Sequence, residues 1–275
     1  MHRRGRSASS ESHRFSELFV PGYPVGMNFG FSIGKRSEEG RKDWKRYYDA
    51  SVDAGETAFQ RLAEAARNTG AYTSVGFSER GAVNGTLYNS NAIFEPGGSY
   101  KVHRKLKPTG SERVVWEDAD KGYFPVTSTP LGPIGSLICW ESYMPLARVA
   151  LYQKGITIYI SPNTNDNPEW QATIRHIAIE GMCFFVNAGM VIRRSSYPSD
   201  LHEGDVASRF PEYVCRGGSC IVDPRGHYVT EPVWDEEAVI YTELDMGLPI
   251  SCKMEHDVAG HYARPDVLEL NVNER

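Results

Sequence analysis

Long apolar runs are missing from this 275-residue sequence, and none approaches the length of a membrane-spanning helix. Basic residues are not in excess either: the formal net charge is −5, which argues against a nucleic-acid-binding protein. The first fourteen residues are basic and rich in serine, but they lack the apolar segment of a secretory signal. We therefore expect a soluble protein that has neither nucleic acid nor a membrane as a partner.

Cysteine and histidine patterns typical of metal sites are also missing. The five cysteines form no CxxC pair and no zinc spacing, and the eight histidines form no ligand pair, so we assign no metal. An odd number of cysteines in a chain of this length favours reduced thiols and a cytoplasmic location. Four of them are predicted to be structural: Cys183, Cys215, Cys220 and Cys252.

The sequence does contain an alternation of strand-like and helix-like segments without a repeat or a linker, which predicts a single α/β domain. At 57–69 the apolar residues share one helical face, and Gly70 ends that helix. Further helices are predicted from Tyr143 onward and over 170–178. The remaining predictions are strands at 72–77, 86–94, 100–105, 123–127, 134–138, 156–160, 183–192, 219–222, 228–230 and 238–245, and irregular segments at 194–213 and 247–275.

Cys139 lies between the apolar strand 134–138 and the helix predicted from Tyr143. On such a turn the unpaired N–H groups and the dipole of the helix favour thiolate over thiol. A sharp strand-to-helix turn also holds a nucleophile out toward a substrate. A buried core cysteine would satisfy the same pattern, so this segment alone leaves both interpretations open.

Five longer motifs occur along the chain. They are FSELFVPGYP at 15–24, HRKLKPT at 103–109, LICWE at 137–141, EWQATIRHIA at 169–178 and GHYARPD at 260–266. Together and in this order they resemble the nitrilase (carbon–nitrogen hydrolase) superfamily, and they are most similar to its true nitrilase branch. The resemblance implies a four-layer αββα sandwich of the nitrilase type. It also implies catalysis by a Glu–Lys–Cys triad without a metal or an organic cofactor.

The motifs assign the roles of the triad to particular residues of this sequence. The resemblance makes Cys139 the nucleophile and Glu17 the general base. It makes Lys105 the catalytic lysine, because this residue follows His-Arg and precedes Leu, and Lys107 is the near alternative. Glu112 matches a second glutamate that orients the lysine and the substrate.

Further residues match positions around the family's substrate. The backbone N–H of Trp140 is expected to stabilise negative charge that develops on the substrate. Tyr23, Trp116 and Trp170 match positions expected near the substrate pocket. On helical spacing alone, Trp170 would instead be a core residue, so the two interpretations differ for this side chain.

The beginning of the chain departs from the family pattern. Family members start with a strand, a helix and a second apolar strand before the glutamate motif, whereas residues 1–14 are too short and too polar to supply these elements. We therefore predict a disordered or truncated arm at 1–14, the hydrolase domain at 15–246, and a tail at 247–275 that packs on the domain or on a partner subunit. Ser16 also replaces a proline of the family motif, which alters the approach to Glu17. We expect either that the chain is truncated at its start, or that Glu17 is poorly held and activity is impaired.

Three functions fit these observations. The first is a nitrilase that converts an organic nitrile into a carboxylic acid and ammonia through a covalent thioimidate and thioester on Cys139. The second keeps the triad but uses an amide substrate or releases an amide product, and the third is a catalytically impaired oligomer subunit. The family pattern also predicts a homodimer or a longer spiral through two helices that carry Leu146, Val149, Ala150, Ile174 and Ile177.

Overall fold

The structure is a computed structural model that describes residues 12–274. Ten strands, five α-helices and four short 3₁₀ helices make up the regular structure of this part of the chain. In chain order the strands and α-helices are β1 Ser12–Arg14, α1 Glu38–Ala50, α2 Thr57–Thr69, β2 Tyr72–Arg80, β3 Leu87–Phe94, β4 Tyr100–Arg104, β5 Ile134–Ser136, α3 Pro145–Gln153, β6 Ile158–Asn163, α4 Pro168–Gly181, β7 Phe184–Gly189, β8 Val191–Arg193, β9 Tyr213–Val222, β10 Tyr228–Trp234 and α5 Leu248–Cys252. The 3₁₀ helices are Gly110–Val114, Cys139–Tyr143, Arg194–Ser196 and Val206–Arg209.

The strands form two sheets. The first has the order β1-β2-β3-β4, with β1 parallel to β2 and the other pairs antiparallel. The second has the order β10-β9-β7-β6-β5, and β8 pairs with β9 outside that path. Strands β5, β6 and β7 run parallel, and α3 and α4 make the crossovers between them. This is the connection that parallel neighbours require.

The sheets and helices lie in four layers. On one outer face, Phe59 and Ala63 of α2 pack against Phe77 and Phe94 of the first sheet. On the other outer face, the apolar sides of α3 and α4 pack against the second sheet. Between the sheets, Ile93 packs among apolar residues of β5, β6 and β7. The predicted αββα sandwich is therefore confirmed.

Two predicted strands are absent from the described part of the chain. At 123–127 the backbone makes only one isolated bridge, between Thr127 and Ile134. At 238–245 the alternation of apolar residues does not form a strand, and Val239 and Tyr241 are strongly exposed. In both segments the alternating pattern exists, but a neighbouring strand for the backbone is missing, and pairing is what stabilises a strand.

The helix α1 was not predicted. Its sequence is strongly polar, and its buried residues, Gly40 and Asp43, have no apolar side chain. No continuous apolar stripe marks the helix. The available signal was at its start, where Ser37 accepts a hydrogen bond from the backbone N–H of Gly40 and two glutamates occupy the first turn. On its inner side, Tyr47 donates to the backbone carbonyl of Gly22 at 3.0 Å. The helix thereby supports the segment that carries Tyr23.

The segments at the two ends contact the domain. Ser12–Arg14 pairs with residues 72–74 of β2, so the expectation that 1–14 supplies no strand is wrong for these residues, while 1–11 lie outside the described part. At the other end, Leu270 and Val272 pack against the core of the second sheet. The backbone N–H of Gly122 also donates to Asn273. The tail therefore packs on its own domain.

Candidate active site

Glu17 lies in a segment that continues β1 along the edge of the first sheet. Phe15 and Val20 donate backbone hydrogen bonds to residues 74 and 76 of β2 at 2.9 and 3.2 Å. The approach is so close that a Cβ at Gly76 would lie 2.4 Å from the carbonyl oxygen of Ser16, so only glycine fits there. Glu17 is completely buried, and the expectation that it is poorly held is wrong.

The two carboxylate oxygens of Glu17 have different surroundings. Oε1 accepts hydrogen bonds from the Lys105 ammonium at 2.8 Å and from the Asn89 amide at 2.9 Å. Oε2 is buried and has no hydrogen-bond partner among the described residues. An acceptor in a buried site is costly to leave unpaired unless a substrate, water or reacting group uses it. The free oxygen is therefore the one available to take up a proton.

Lys105 follows the last residue of β4 and lies between two carboxylates. Its ammonium contacts Oε1 of Glu17 at 2.8 Å and Oε2 of Glu112 at 2.9 Å, and its side chain is completely buried. Burial alone would lower the pKa of Lys105, but the charges of Glu17 and Glu112 outweigh it and raise the pKa above the ordinary value. The lysine therefore carries its positive charge at neutral pH.

The alternative lysine has a different environment. Lys107 is about half exposed and pairs with Asp118 at the surface. Exposed ion pairs of this kind contribute little to stability, and they cannot act on a group held in the interior. The geometry therefore favours Lys105 as the lysine of the site.

Glu112 lies on the 3₁₀ helix Gly110–Val114. Its carboxylate accepts a hydrogen bond from the backbone N–H of Thr109 at 2.6 Å, and Tyr23 donates its hydroxyl to the other oxygen. Burial, the charge of Glu17 and the bond to Glu112 raise the pKa of Tyr23, so the phenol stays protonated and acts as a donor. Glu112, held by these two donors, is therefore the second carboxylate that contacts Lys105.

Cys139 lies on the sharp turn that the sequence predicts, directly after a buried strand end. Its φ angle is +51°, a conformation that costs a non-glycine residue about 1–3 kcal/mol and that is typical of functional sites. The 3₁₀ helix Cys139–Tyr143 begins at this residue, and α3 follows only at Pro145. The thiol is buried together with the carboxylates.

The charge state of Cys139 differs from the sequence-based expectation. Burial and the charge of Glu17 raise the pKa of the Cys139 thiol, although Lys105 and the backbone of Thr164 act in the opposite direction. A helix dipole acts over about one turn and does not outweigh burial beside a carboxylate. The expectation of a resting thiolate is therefore wrong, and the site needs a base that removes the thiol proton.

The predicted substrate contacts fall into two groups. The rings of Tyr23 and Trp116 contact each other, with centroids 5.8 Å apart. Tyr23 lies next to the glutamate and lysine residues, and Trp116 packs behind Tyr23. Trp140 is half exposed beside Cys139 and packs edge-on against Tyr143. Trp170 is completely buried in the core between α4 and the second sheet, and its indole N–H donates to Asn187. The predicted contact of this side chain with a substrate stays a prediction.

A cavity of about 1680 Å³ adjoins the site. Its walls include Arg14 and Tyr23 from the first half of the chain and Ala188, Met190 and Ile192 from the second. Since the hydroxyl of Tyr23 donates to Glu112, this side chain connects the cavity to the buried carboxylates. The apolar side chains of the second half could contact an organic substituent.

Asn89 was missed by the sequence analysis. It lies in β3, where it is almost completely buried, and both its amide and its backbone carbonyl serve the site: the amide donates to Glu17, and the carbonyl accepts from the N–H of Lys105 at 2.8 Å. The signal that could have identified it is the polar run Asn-Ser-Asn inside a strand that is otherwise apolar. Buried polar groups in such a position need partners, and here one of them is Glu17.

Comparison with known proteins agrees with this fold. Residues 14–253 match the family model described as carbon-nitrogen hydrolase. The chain belongs to the carbon–nitrogen hydrolase family, and it is a hydrolase of carbon–nitrogen bonds.

Several curated relatives are similar over most of their length. The chain is 42% identical over 265 residues to the bifunctional nitrilase/nitrile hydratase NIT4A of Lupinus angustifolius, which covers 94% of this chain and 75% of the relative. It is 41% identical over 261 residues to the aliphatic nitrilase of Sinorhizobium fredii, which covers 94% of this chain and 83% of the relative. These names describe the relatives' activities.

Solved structures support the fold at lower identity. The carbon-nitrogen hydrolase from Helicobacter pylori G27 aligns with a TM-score of 0.66 and 19% identity, over 91% of this chain and 83% of its own. Nit3 of Saccharomyces cerevisiae, a member of branch 10 of the nitrilase superfamily, aligns with a TM-score of 0.62 and 22% identity, over 75% and 72%. Within residues 12–274, no helix has the length and apolar character needed to cross a membrane.

Proposed function

We propose that this enzyme is a nitrilase, which converts an organic nitrile into a carboxylic acid and ammonia with Cys139, Glu17 and Lys105. The observation that carries the proposal is the free Oε2 of buried Glu17, whose other oxygen is held by Lys105 and Asn89. This is the arrangement that a base needs when the nucleophile is a protonated thiol. The names of the similar proteins support the choice of a nitrile as substrate.

The first step is the addition of the thiol to the nitrile. A nitrile carbon is a weak electrophile, so the attacking group must be a strong nucleophile, and a thiolate is suitable. Glu17 takes up the thiol proton as Cys139 attacks, a contribution usually worth about 10²- to 10⁴-fold. A bond forms between Sγ and the nitrile carbon, and the proton taken up by Glu17 passes to the nitrile nitrogen to give a thioimidate, which restores the Glu17 carboxylate.

Charge on the substrate nitrogen must be stabilised during this step. The Lys105 ammonium and the backbone N–H of Trp140 would supply this stabilisation, and each donor of this kind contributes on the order of 3 kcal/mol. Water activated by Glu17 then adds to the thioimidate, and the tetrahedral intermediate loses ammonia to leave a thioester. A second water releases the acid and restores the thiol.

A second outcome uses the same intermediate. If the tetrahedral intermediate expels the thiol instead of ammonia, the product is an amide. One of the most similar relatives is described as a bifunctional nitrilase/nitrile hydratase, which favours keeping this alternative for the present chain. An amidase would start from the amide and share the thioester. A catalytically impaired subunit is the third alternative.

A panel of aliphatic, aryl and arylacetonitriles tests the proposal. We expect the purified protein to release ammonia and the matching acid in a one-to-one ratio from at least one nitrile, since loss of ammonia leaves the thioester. Chromatography of the acid and the amide from the same reaction measures how the tetrahedral intermediate partitions between these two products. Hydrolysis of the amides alone would indicate an amidase, and no turnover of either class would indicate an impaired subunit.

We also propose that the protein is at least a homodimer and that it acts in the cytoplasm, where its five free thiols would stay reduced. The apolar surface expected for the dimer needs a correction. Ala150, Ile174 and Ile177 are buried in the protomer's own core, so they cannot form an interface. Of the predicted residues, Leu146 is exposed and Val149 is partly exposed, and further exposed apolar side chains in this part of the chain are Trp140, Tyr143 and Ile179.

Replacing Leu146 by aspartate tests the assembly. Leu146 is 67% exposed at the start of α3, so the substitution leaves the protomer's core unchanged while it adds a charge to the apolar surface. We expect light scattering at micromolar concentration to give at least a dimer for the unmodified protein and a smaller species for Leu146→Asp. Val83→Asp is the control, because Val83 is similarly exposed in a hairpin turn. A monomeric unmodified protein would contradict the proposal.

A further inference from the structure

The Glu141 carboxylate has no role in the mechanism above, yet it is almost completely buried two residues after Cys139. Oε1 accepts a hydrogen bond from the backbone N–H of Leu106 at 2.9 Å. Oε2 accepts from the backbone N–H of Ile138 at 2.8 Å and contacts Nε2 of His103 at 2.8 Å. Three donors from two segments, 103–106 and the residue before Cys139, therefore meet on one buried carboxylate.

Two of those donors adjoin residues of the active site. Leu106 directly follows Lys105 at the end of β4 in the first sheet. Ile138 directly precedes Cys139 and lies two residues after the end of β5 in the second sheet. One side chain therefore connects the backbones that carry the lysine and the thiol, although the two residues belong to different sheets.

The same residue closes the turn of the nucleophile. The backbone N–H of Glu141 donates to the carbonyl of Ile138 at 3.0 Å, while its carboxylate accepts from the N–H of Ile138. Cys139 lies between these contacts with its φ angle of +51°. A residue in this conformation keeps it only when the surrounding contacts determine it.

His103 supplies the charge that balances Glu141. Its Nδ1 lies 2.8 Å from the backbone carbonyl of Tyr123, and its Nε2 lies 2.8 Å from the carboxylate. Since both partners are acceptors, both ring nitrogens must donate, which requires the imidazolium form. Burial opposes this charge, but the Glu141 carboxylate outweighs it and raises the pKa of His103 above the ordinary value.

We propose that Glu141 is a positioning residue that, held by His103, fixes the Lys105 and Cys139 backbones in one relative placement. The inference rests on the proposed function only in that both residues act on one substrate. Fixing the two sheets together matters because catalysis is steeply sensitive to the position of the reacting groups. A Glu141 variant should therefore lose turnover while it still binds substrate.

Glu141→Gln tests the proposal with almost no change in size. The amide has one acceptor oxygen, so in either orientation its NH₂ group faces a backbone N–H that the carboxylate accepted before. We expect kcat to fall about 100-fold at a temperature below unfolding, with KM changed less than threefold. Glu64→Gln, on the exposed side of α2, is the matched control. A kcat within threefold of the unmodified protein would overturn the proposal.

Replacement of His103 gives a second, independent measurement. His103→Gln keeps a donor toward the carboxylate, whereas His103→Leu removes it and leaves the carboxylate without its cation. We expect the glutamine variant to retain at least tenfold more activity than the leucine variant. Equal activities would contradict a role of His103 in holding Glu141. The pair is informative even if Glu141→Gln fails to fold.

Alkylation of Cys139 by iodoacetamide separates this inference from the proposed function, because it needs no nitrile. Peptide mass spectrometry would follow the rate at this residue. We expect Glu141→Gln to slow the reaction at least tenfold, since the thiol moves relative to Glu17. An unchanged rate would overturn the proposal. If the unmodified protein hydrolyses no nitrile but the variant still shows slower alkylation, the proposed function fails and the positioning role stands.

Discussion

Cys139→Ala should abolish turnover and leave the fold intact. The substitution removes the only atom proposed to bond with the substrate, and alanine is smaller, so it fits the same buried turn. Water bound near Glu17 cannot replace a thiolate as the nucleophile toward a nitrile. We expect a loss of at least about 10⁴-fold in kcat. The loss would be measured as ammonia release, with circular dichroism to verify the fold.

A covalent adduct provides the positive evidence for the same residue. After incubation with a slowly hydrolysed nitrile, intact-mass spectrometry should detect one adduct on the unmodified protein and none on Cys139→Ala. Burial raises the pKa values of Cys183 and Cys220 to about 12, as it also raises that of Cys139, but the charges of Glu17 and Lys105 act on Cys139 and not on these two thiols. Cys252→Ala is the control and should keep full activity. Turnover by Cys139→Ala, or an adduct on Cys183, would show that the assignment is wrong.

Much of the candidate site follows from short sequence motifs. Glu17, Lys105 and Cys139 are far apart in the chain, and the structure brings them together with Glu112 as the resemblance implies. Local patterns were also sufficient to predict the elements that carry Lys105 and Cys139. The turn after β5 follows from the apolar run 134–138, and the segment that carries Lys105 follows from the turn before Tyr100 and from Pro108, which cannot continue a strand.

Other features depend on contacts that no local pattern contains. The contact of Asn89 with Glu17 spans 72 residues, and the contact of His103 with Glu141 spans 38. The charge state of Cys139 depends on burial next to Glu17, which a helix-start argument leaves out. Residues 238–245 have the alternation of a strand but no strand partner. In each case the deciding interaction is tertiary, and it outweighs the local preference.

Lys105 should be the second residue whose loss abolishes activity, and Lys107 supplies the matched control. Both lysines lie in the same short segment, but Lys105 is enclosed by two carboxylates while Lys107 meets only Asp118 at the surface. Removing a buried partner destabilises a protein by about 3–5 kcal/mol, whereas an exposed pair contributes about 1 kcal/mol or less. Thermal unfolding should therefore distinguish the two variants before any assay.

The catalytic effect of Lys105→Ala has two sources. The substrate nitrogen loses a donor worth on the order of 3 kcal/mol, or about 100-fold. Without the cation, Oε1 of Glu17 also loses the hydrogen bond that Lys105 donates at 2.8 Å, so the base is no longer held in place. Since the base contributes about 10²- to 10⁴-fold, we expect a total loss of about 10⁴-fold or more.

The sign of the remaining pH dependence separates this account from simple misfolding. The charge of Lys105 lowers the pKa of the Cys139 thiol, so its removal raises that pKa further, and the residual activity of Lys105→Ala should increase with pH relative to the unmodified enzyme. Lys107→Ala should keep the original pH profile and lose less than tenfold in kcat. A larger loss for Lys107→Ala than for Lys105→Ala would transfer the catalytic role to Lys107. The buried pairs with Glu17 and Glu112 would then be structural.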